Sequence, residues 1–111
     1  MYYSIHITSK VEADIQAAAD YIGFVLLNPD ASDLLLDTLN EEISNLSSMP
    51  AKHQFVEDPV LASWDIRMIS VKNYLAFYVI NETESTVHIV RFPSEKRSWA
   101  AILRRDPVSS E

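Results

Sequence analysis

The stretch Ile66–Phe92, IRMISVKNYLAFYVINETESTVHIVRF, decides the fold. Three runs rich in β-branched and aromatic residues, 66–71, 74–81 and 86–92, are set apart by polar junctions. Lys72-Asn73 is short enough for a tight hairpin, and Asn81-Glu82-Thr83-Glu84-Ser85 makes a longer one. Gly23 is the only glycine in the chain, so left-handed backbone positions are expected at Asn73, Asn81 and Asp65. Pro93 cannot donate to a ladder and closes the last strand. The three runs therefore predict an antiparallel meander.

Outward from the meander, the N-terminal side is helical. Tyr3, Ile5 and Ile7 alternate with Ser4, His6 and Thr8, a strand with one apolar face. Ser9-Lys10-Val11-Glu12 has capping-box spacing, which places the helix start at Ser9. Val11, Ile15, Ala18, Ala19, Ile22 and Leu26 continue at helical spacing, predicting a helix from about Lys10 to Leu27. Gly23 lies inside it, where it would permit close packing at some cost in propensity. Asn28-Pro29 suits an N-cap followed by a first helical position. Ala31, Leu35, Leu39, Ile43 and Leu46 then form the stripe of a second helix ending near Ser48. So short a junction requires an antiparallel helix hairpin. Residues 51–65 show no clean period and read as a loop with one turn. Residues 95–104 suit a short amphipathic helix burying Trp99, Ile102 and Leu103. The expected order is β-α-α-β-β-β plus a short C-terminal helix. This is an α+β single domain over 1–111, with the helix hairpin on one face of an antiparallel sheet and the other face left available.

Composition narrows the function classes. At 111 residues and 48% hydrophobic content the chain can bury one real core. It has no cysteine, which excludes disulfides and thiolate metal sites. No apolar run is long enough to span a bilayer, and the first residues lack the basic-then-apolar pattern of a signal peptide. A cytoplasmic protein is expected. The net charge of −7 argues against nucleic acid, but its distribution does not. Residues 10–50 hold eight acids and one base, Lys10. Residues 66–105 hold seven bases (Arg67, Lys72, Arg91, Lys96, Arg97, Arg104, Arg105) against three acids. A basic working surface on the C-terminal half is expected, clustered about the open sheet face.

Several strings resemble the RelE/ParE toxin superfamily, in the branch labelled plasmid-stabilisation proteins. They are Ile15–Leu46 with its Asn28-Pro29 junction, Ile66-Arg67, Val71–Ile80, Ile89-Val90-Arg91-Phe92, and Lys96-Arg97-Ser98-Trp99 with Ile102-Leu103. The resemblance covers nearly the whole chain. It implies the toxin half of a type II toxin–antitoxin module, wrapped by a cognate antitoxin. It also implies one of two activities. RelE-like members cut ribosome-bound mRNA, using the RNA's own 2′-hydroxyl; ParE-like members inhibit DNA gyrase. The fold alone does not choose between them, and a weakly toxic family member that mainly binds its antitoxin is a third reading.

For an RNA-cutting toxin the resemblance assigns Arg67 and Arg91 as the catalytic pair on the scissile phosphate, a role suited to a planar guanidinium. An ion pair with a surface carboxylate is the plain alternative for each. Lys72, Tyr74, Lys96 and Arg97 are the expected RNA- or target-binding residues, Tyr74 by stacking on a base. Trp64 and Trp99 are the expected antitoxin contacts. Cutting relatives often carry His or Tyr just after the last strand's arginine. Here Phe92-Pro93-Ser94 stands there, so cleavage would rest on charge stabilisation and positioning. Glu57 and Asp58 are candidate loop bases, with ordinary solvation the plainer role. His6, His53 and His88 show no metal-ligand spacing on any one element, so neither a metal nor a cofactor is expected.

Overall fold

The computed structural model describes residues 2–105. Strand β1 (Ser4–Ile7) leads into helix α1 (Ser9–Asp20), which widens into one π-helical turn, Tyr21–Val25. Helix α2 (Pro29–Ser48) returns antiparallel to it. A 3₁₀ turn (Pro50–Lys52) and a short helix α3 (Pro59–Ser63) precede the meander β2 (Arg67–Val71), β3 (Tyr74–Asn81) and β4 (Thr86–Arg91). Helix α4 (Trp99–Arg105) follows. The architecture is the expected α+β one.

The sheet order is β1-β4-β3-β2. β2, β3 and β4 pair antiparallel, whereas β1 joins β4 in parallel. The long crossover through both helices allows this direction, since a parallel neighbour needs a connection of a dozen residues or more. One register shift falls at Phe77/Tyr78, where β4 moves from Ile89 to Arg91 opposite consecutive residues of β3.

Two cores flank the sheet. On the helix side Val11, Ala18, Leu35, Leu39 and Leu46 meet Ile69, Val71, Tyr78, Val87 and Ile89. Burying one such side chain contributes about 1.5–3 kcal/mol. The opposite face is not left open, as the sequence pattern suggested. Val56, Leu61 and Leu103 from the α3 and α4 regions cover Ile66, Leu75 and Phe77 there. The apparently aperiodic segment 51–65 supplies half of that cover, because α3 is too short to show a helical period.

Local capping departs from expectation at one end and follows it at the other. Thr8, not Ser9, caps α1, its Oγ1 accepting from the Val11 amide at 3.2 Å. Asn28 Oδ1 accepts from the Ala31 amide at 3.1 Å, with Pro29 at the first turn of α2. The helices are tied by the Ser32 hydroxyl, which donates to the Ala19 carbonyl at 2.8 Å. A Cβ on Gly23 would meet Ser32 Cβ at 3.6 Å, ordinary contact, so close packing does not require that glycine. Positive φ occurs at Asp65 as expected, but otherwise at Leu27, Lys72 and Ser85 rather than Asn73 and Asn81.

Candidate functional site

Helical spacing puts Asp14, Ala17, Ala18 and Tyr21 along one stripe of α1 and its π turn. That stripe faces the end of β4, and the two walls enclose a cleft of about 640 Å³. Its β side carries Asn73, Tyr74, Arg91, Phe92, Pro93 and Ser94; Lys96 and Arg97 form the rim. The 93–97 segment is stapled in place: Leu75 N–H donates to the Pro93 carbonyl (2.9 Å) and Glu95 N–H to the Asn73 carbonyl (3.0 Å). Tyr74 stacks on Phe92 with centroids 5.3 Å apart. Burial pushes the Tyr74 hydroxyl pKa up, with nearby Tyr21 adding to it, so this phenol is a donor at neutral pH. A smaller recess of about 300 Å³ adjoins the cleft, lined by Lys10, Arg91, Arg97, Ile102 and Arg105.

Asp14 organises the arginine. Its Oδ2 accepts from Arg91 Nε at 2.7 Å and its Oδ1 from an Arg91 terminal nitrogen at 3.1 Å, a two-point grip. Oδ2 also accepts the Phe92 amide at 3.1 Å. Both side chains are under one-fifth exposed, so the pair is shielded from solvent screening. In the sequence Asp14 reads as one more acid on a solvated helix face. Its position beside Ile15 and three residues after Val11, at the border of the apolar stripe, is the signal that could have separated it from the others.

Tyr74, Arg91, Lys96 and Arg97 are thus brought together, and Arg67 is not among them. Arg67 donates to the His53 carbonyl at 2.6 Å and lies 4.1 Å above the Phe55 ring. It lines a separate cleft of about 630 Å³ with Tyr3, Met49, Lys52, Asp65 and Glu82. Lys72 sits exposed on the β2–β3 turn. Trp64 caps the end of α3 and is 38% exposed. Trp99 is half-buried against Phe77, with centroids 5.1 Å apart. Asp58 plays a structural role. Its Oδ1 caps α3 through Val60 and Leu61, and its Oδ2 accepts from Arg104 at 2.6 Å. Arg104 first, then the Leu61 amide, holds its carboxyl below the usual range. Of the bases after Ile66, Arg91, Lys96, Arg97 and Arg105 therefore gather at the α1 end of the sheet rather than over an open face, with Lys72 on the β2–β3 turn and Arg67 and Arg104 elsewhere. Among the described residues no three or more His, Asp or Glu converge as metal ligands, and no helix is long and apolar enough to cross a membrane.

The chain is thus a small α+β domain with a helix hairpin over a four-stranded mixed sheet and bases gathered just past the last strand. A chain of the chromosomal ParDE TA system from P. aeruginosa is similar at TM-score 0.65 and 18% identity, covering 84% of this chain and 96% of that one. A free-state mutant of the E. coli toxin RelE matches at TM-score 0.63 and 11% identity, over 99% of this chain and 98% of that one. The RelBE2 toxin–antitoxin complex from Mycobacterium tuberculosis matches at 0.59 and 16% identity, over 85% and 99%. Residues 5–99 match the family model of the ParE toxin of the type II toxin–antitoxin system parDE, and the chain belongs to that family. No curated protein sequence matches it.

Proposed function

We propose that this toxin arrests growth by binding a large target, DNA gyrase, rather than by cutting RNA, and that a cognate antitoxin restrains it. The observation that carries this reading is the separation of the two arginines. Arg67 and Arg91 line different clefts, and Arg91 is already gripped at two points by Asp14. A scissile phosphate would have to share the guanidinium with a carboxylate that also holds the Phe92 amide. Arg91, Tyr74, Lys96 and Arg97 then serve as a target-contact surface, with Lys72 at its margin.

The antitoxin reading rests on family membership and on exposed apolar side chains. Phe24, Val25, Leu26 and Leu27 form an apolar tip on the helix hairpin, and Trp64 presents part of its ring. Trp99, packed on Phe77, offers less surface.

The test is a pair of assays on the purified full chain. One is supercoiling by gyrase; the other is primer extension on ribosome-bound mRNA. Gyrase inhibition without new mRNA ends is expected. Lys96→Ala with Arg97→Ala should weaken inhibition by about tenfold or more, as for loss of contact side chains worth roughly 1.4 kcal/mol together. Cleavage in the ribosomal A site that vanishes in Arg91→Ala would replace this reading with the RNA-cutting one.

A further inference from the structure

His6 and His88 are left unused by the toxin reading. β1 and β4 run parallel with these two residues directly opposite. Ile5, Ile7, Val87 and Ile89 face the helix-side core, so strand alternation turns both imidazoles to the other face. There the second core reaches Val79 and Val90 but not β1: His6 is exposed and His88 half-buried. The two Nδ1 atoms stand 2.9 Å apart, with the rings nearly perpendicular at 89°.

Only one hydrogen fits between two nitrogens so placed, so at least one of them offers a lone pair into the gap. Imidazole nitrogens bind transition metals at about 2.0–2.1 Å. Two such bonds at a right angle hold their nitrogens about 2.9 Å apart, whereas a tetrahedral angle holds them about 3.4 Å apart. The observed spacing is that of two adjacent positions on a square-planar or octahedral ion, the preference of Cu²⁺ and Ni²⁺. Such an ion lies off the line joining the nitrogens, with each bond about 45° from that line, so the rings must turn by roughly that angle from a linear hydrogen bond. The exposed His6 ring has room to do so.

We propose that His6 and His88 form a two-histidine chelate for a divalent transition metal, binding Cu²⁺ more tightly than Ni²⁺ or Zn²⁺. The ion takes the place of the shared hydrogen, which passes through solvent to Nε2 of the same ring as that imidazole changes tautomer, and water fills the ion's remaining positions. It fastens the four-residue edge strand β1 to a partner 82 residues later in the chain. Because the unfolded chain holds these histidines far apart, binding favours the folded state and raises its melting temperature.

Tag-free full-length protein, titrated with CuCl₂ and with NiCl₂ near neutral pH, tests the site by calorimetry and by electron paramagnetic resonance. One Cu²⁺ per chain with two nitrogen ligands is expected, together with a higher melting temperature. His6→Ala and His88→Gln should each weaken binding by about tenfold or more, since the second bond of a chelate forms at high effective concentration. His53→Ala should bind as the wild type does. The exposed His6 makes His6→Ala informative even if a change at His88 disturbs folding, and circular dichroism separates the two effects. Absence of binding, or Cu²⁺ binding with equal affinity in the wild type and His6→Ala, overturns the proposal.

Discussion

Tyr78 ties the sheet to the chain that leaves α2. Fully buried on β3, it donates its hydroxyl to the Pro50 carbonyl at 2.7 Å and faces His53 edge-on. Burial pushes its pKa up to about 12, against a smaller opposing pull from Arg67. A folded-state value above the unfolded one, about 10, means that the folded chain holds this proton more tightly. The associated stability is fully present below about pH 10 and is lost as pH rises towards 12. Tyr78→Phe should cost about 1–3 kcal/mol at pH 7, because the Pro50 carbonyl loses its donor. Urea midpoints at pH 7 and pH 11 check this: the gap between wild type and variant should narrow at the higher pH. An undiminished gap would mean that the phenol does not govern alkaline stability. The hydroxyl's partner was not legible in the sequence, since Pro50 lies 28 residues upstream in a segment with no period.

The helix hairpin ends in an element that periodicity describes poorly. The apolar stripe of the first helix continues to Leu26, yet regular α-helix stops at Asp20 and a π turn takes over. Leu26 N–H reaches the Tyr21 carbonyl (2.9 Å) and Asn28 N–H the Ile22 carbonyl (3.0 Å). This closure throws Leu27 into left-handed backbone at φ 55° with its side chain 81% exposed. A branched residue there costs about 1–2 kcal/mol, which glycine avoids at some entropic cost. Leu27→Gly should therefore stabilise the chain by about 0.5–1 kcal/mol and raise its melting temperature by a few degrees. A lowered melting temperature would show that Leu27 makes contacts worth more than the strain. The elements themselves were legible where a period or a cap is local: the meander, the Asn28-Pro29 start of α2 and its end at Ser48. Turn conformations were not. Asn81 uses its side chain to accept from the Glu84 amide at 3.0 Å, leaving Ser85 to take positive φ. Asn73 yields that role to Lys72, the first turn position. The candidate site was half legible: the bases and Tyr74 could be named, but neither the Asp14 clamp nor the exile of Arg67 could, since both depend on which strand faces which helix.

At the scale of the molecule, a chain with net charge −7 presents Lys10, Arg91, Lys96, Arg97 and Arg105 around one end. Such asymmetry orients a molecule in the field of an acidic partner even when its total charge has the wrong sign. The parallel pairing of β1 with β4 has a different consequence, set by the clock of protein synthesis. Ser4 needs Thr86 and Ile7 needs Ile89, so the first strand made waits for the last. Ribosomes add about 5–20 residues each second, and 82 residues separate His6 from His88, a delay of about 4–16 seconds. Nascent chains stalled before Thr86 should be digested by protease through β1 and α1, whereas the released full-length chain should resist. Equal resistance in the stalled chains would mean that the helix hairpin holds β1 unaided. With that delay, the end where Lys10 meets Arg91 and Arg97 cannot assemble until β4 has been made, so the oldest part of each chain spends those seconds without its partner.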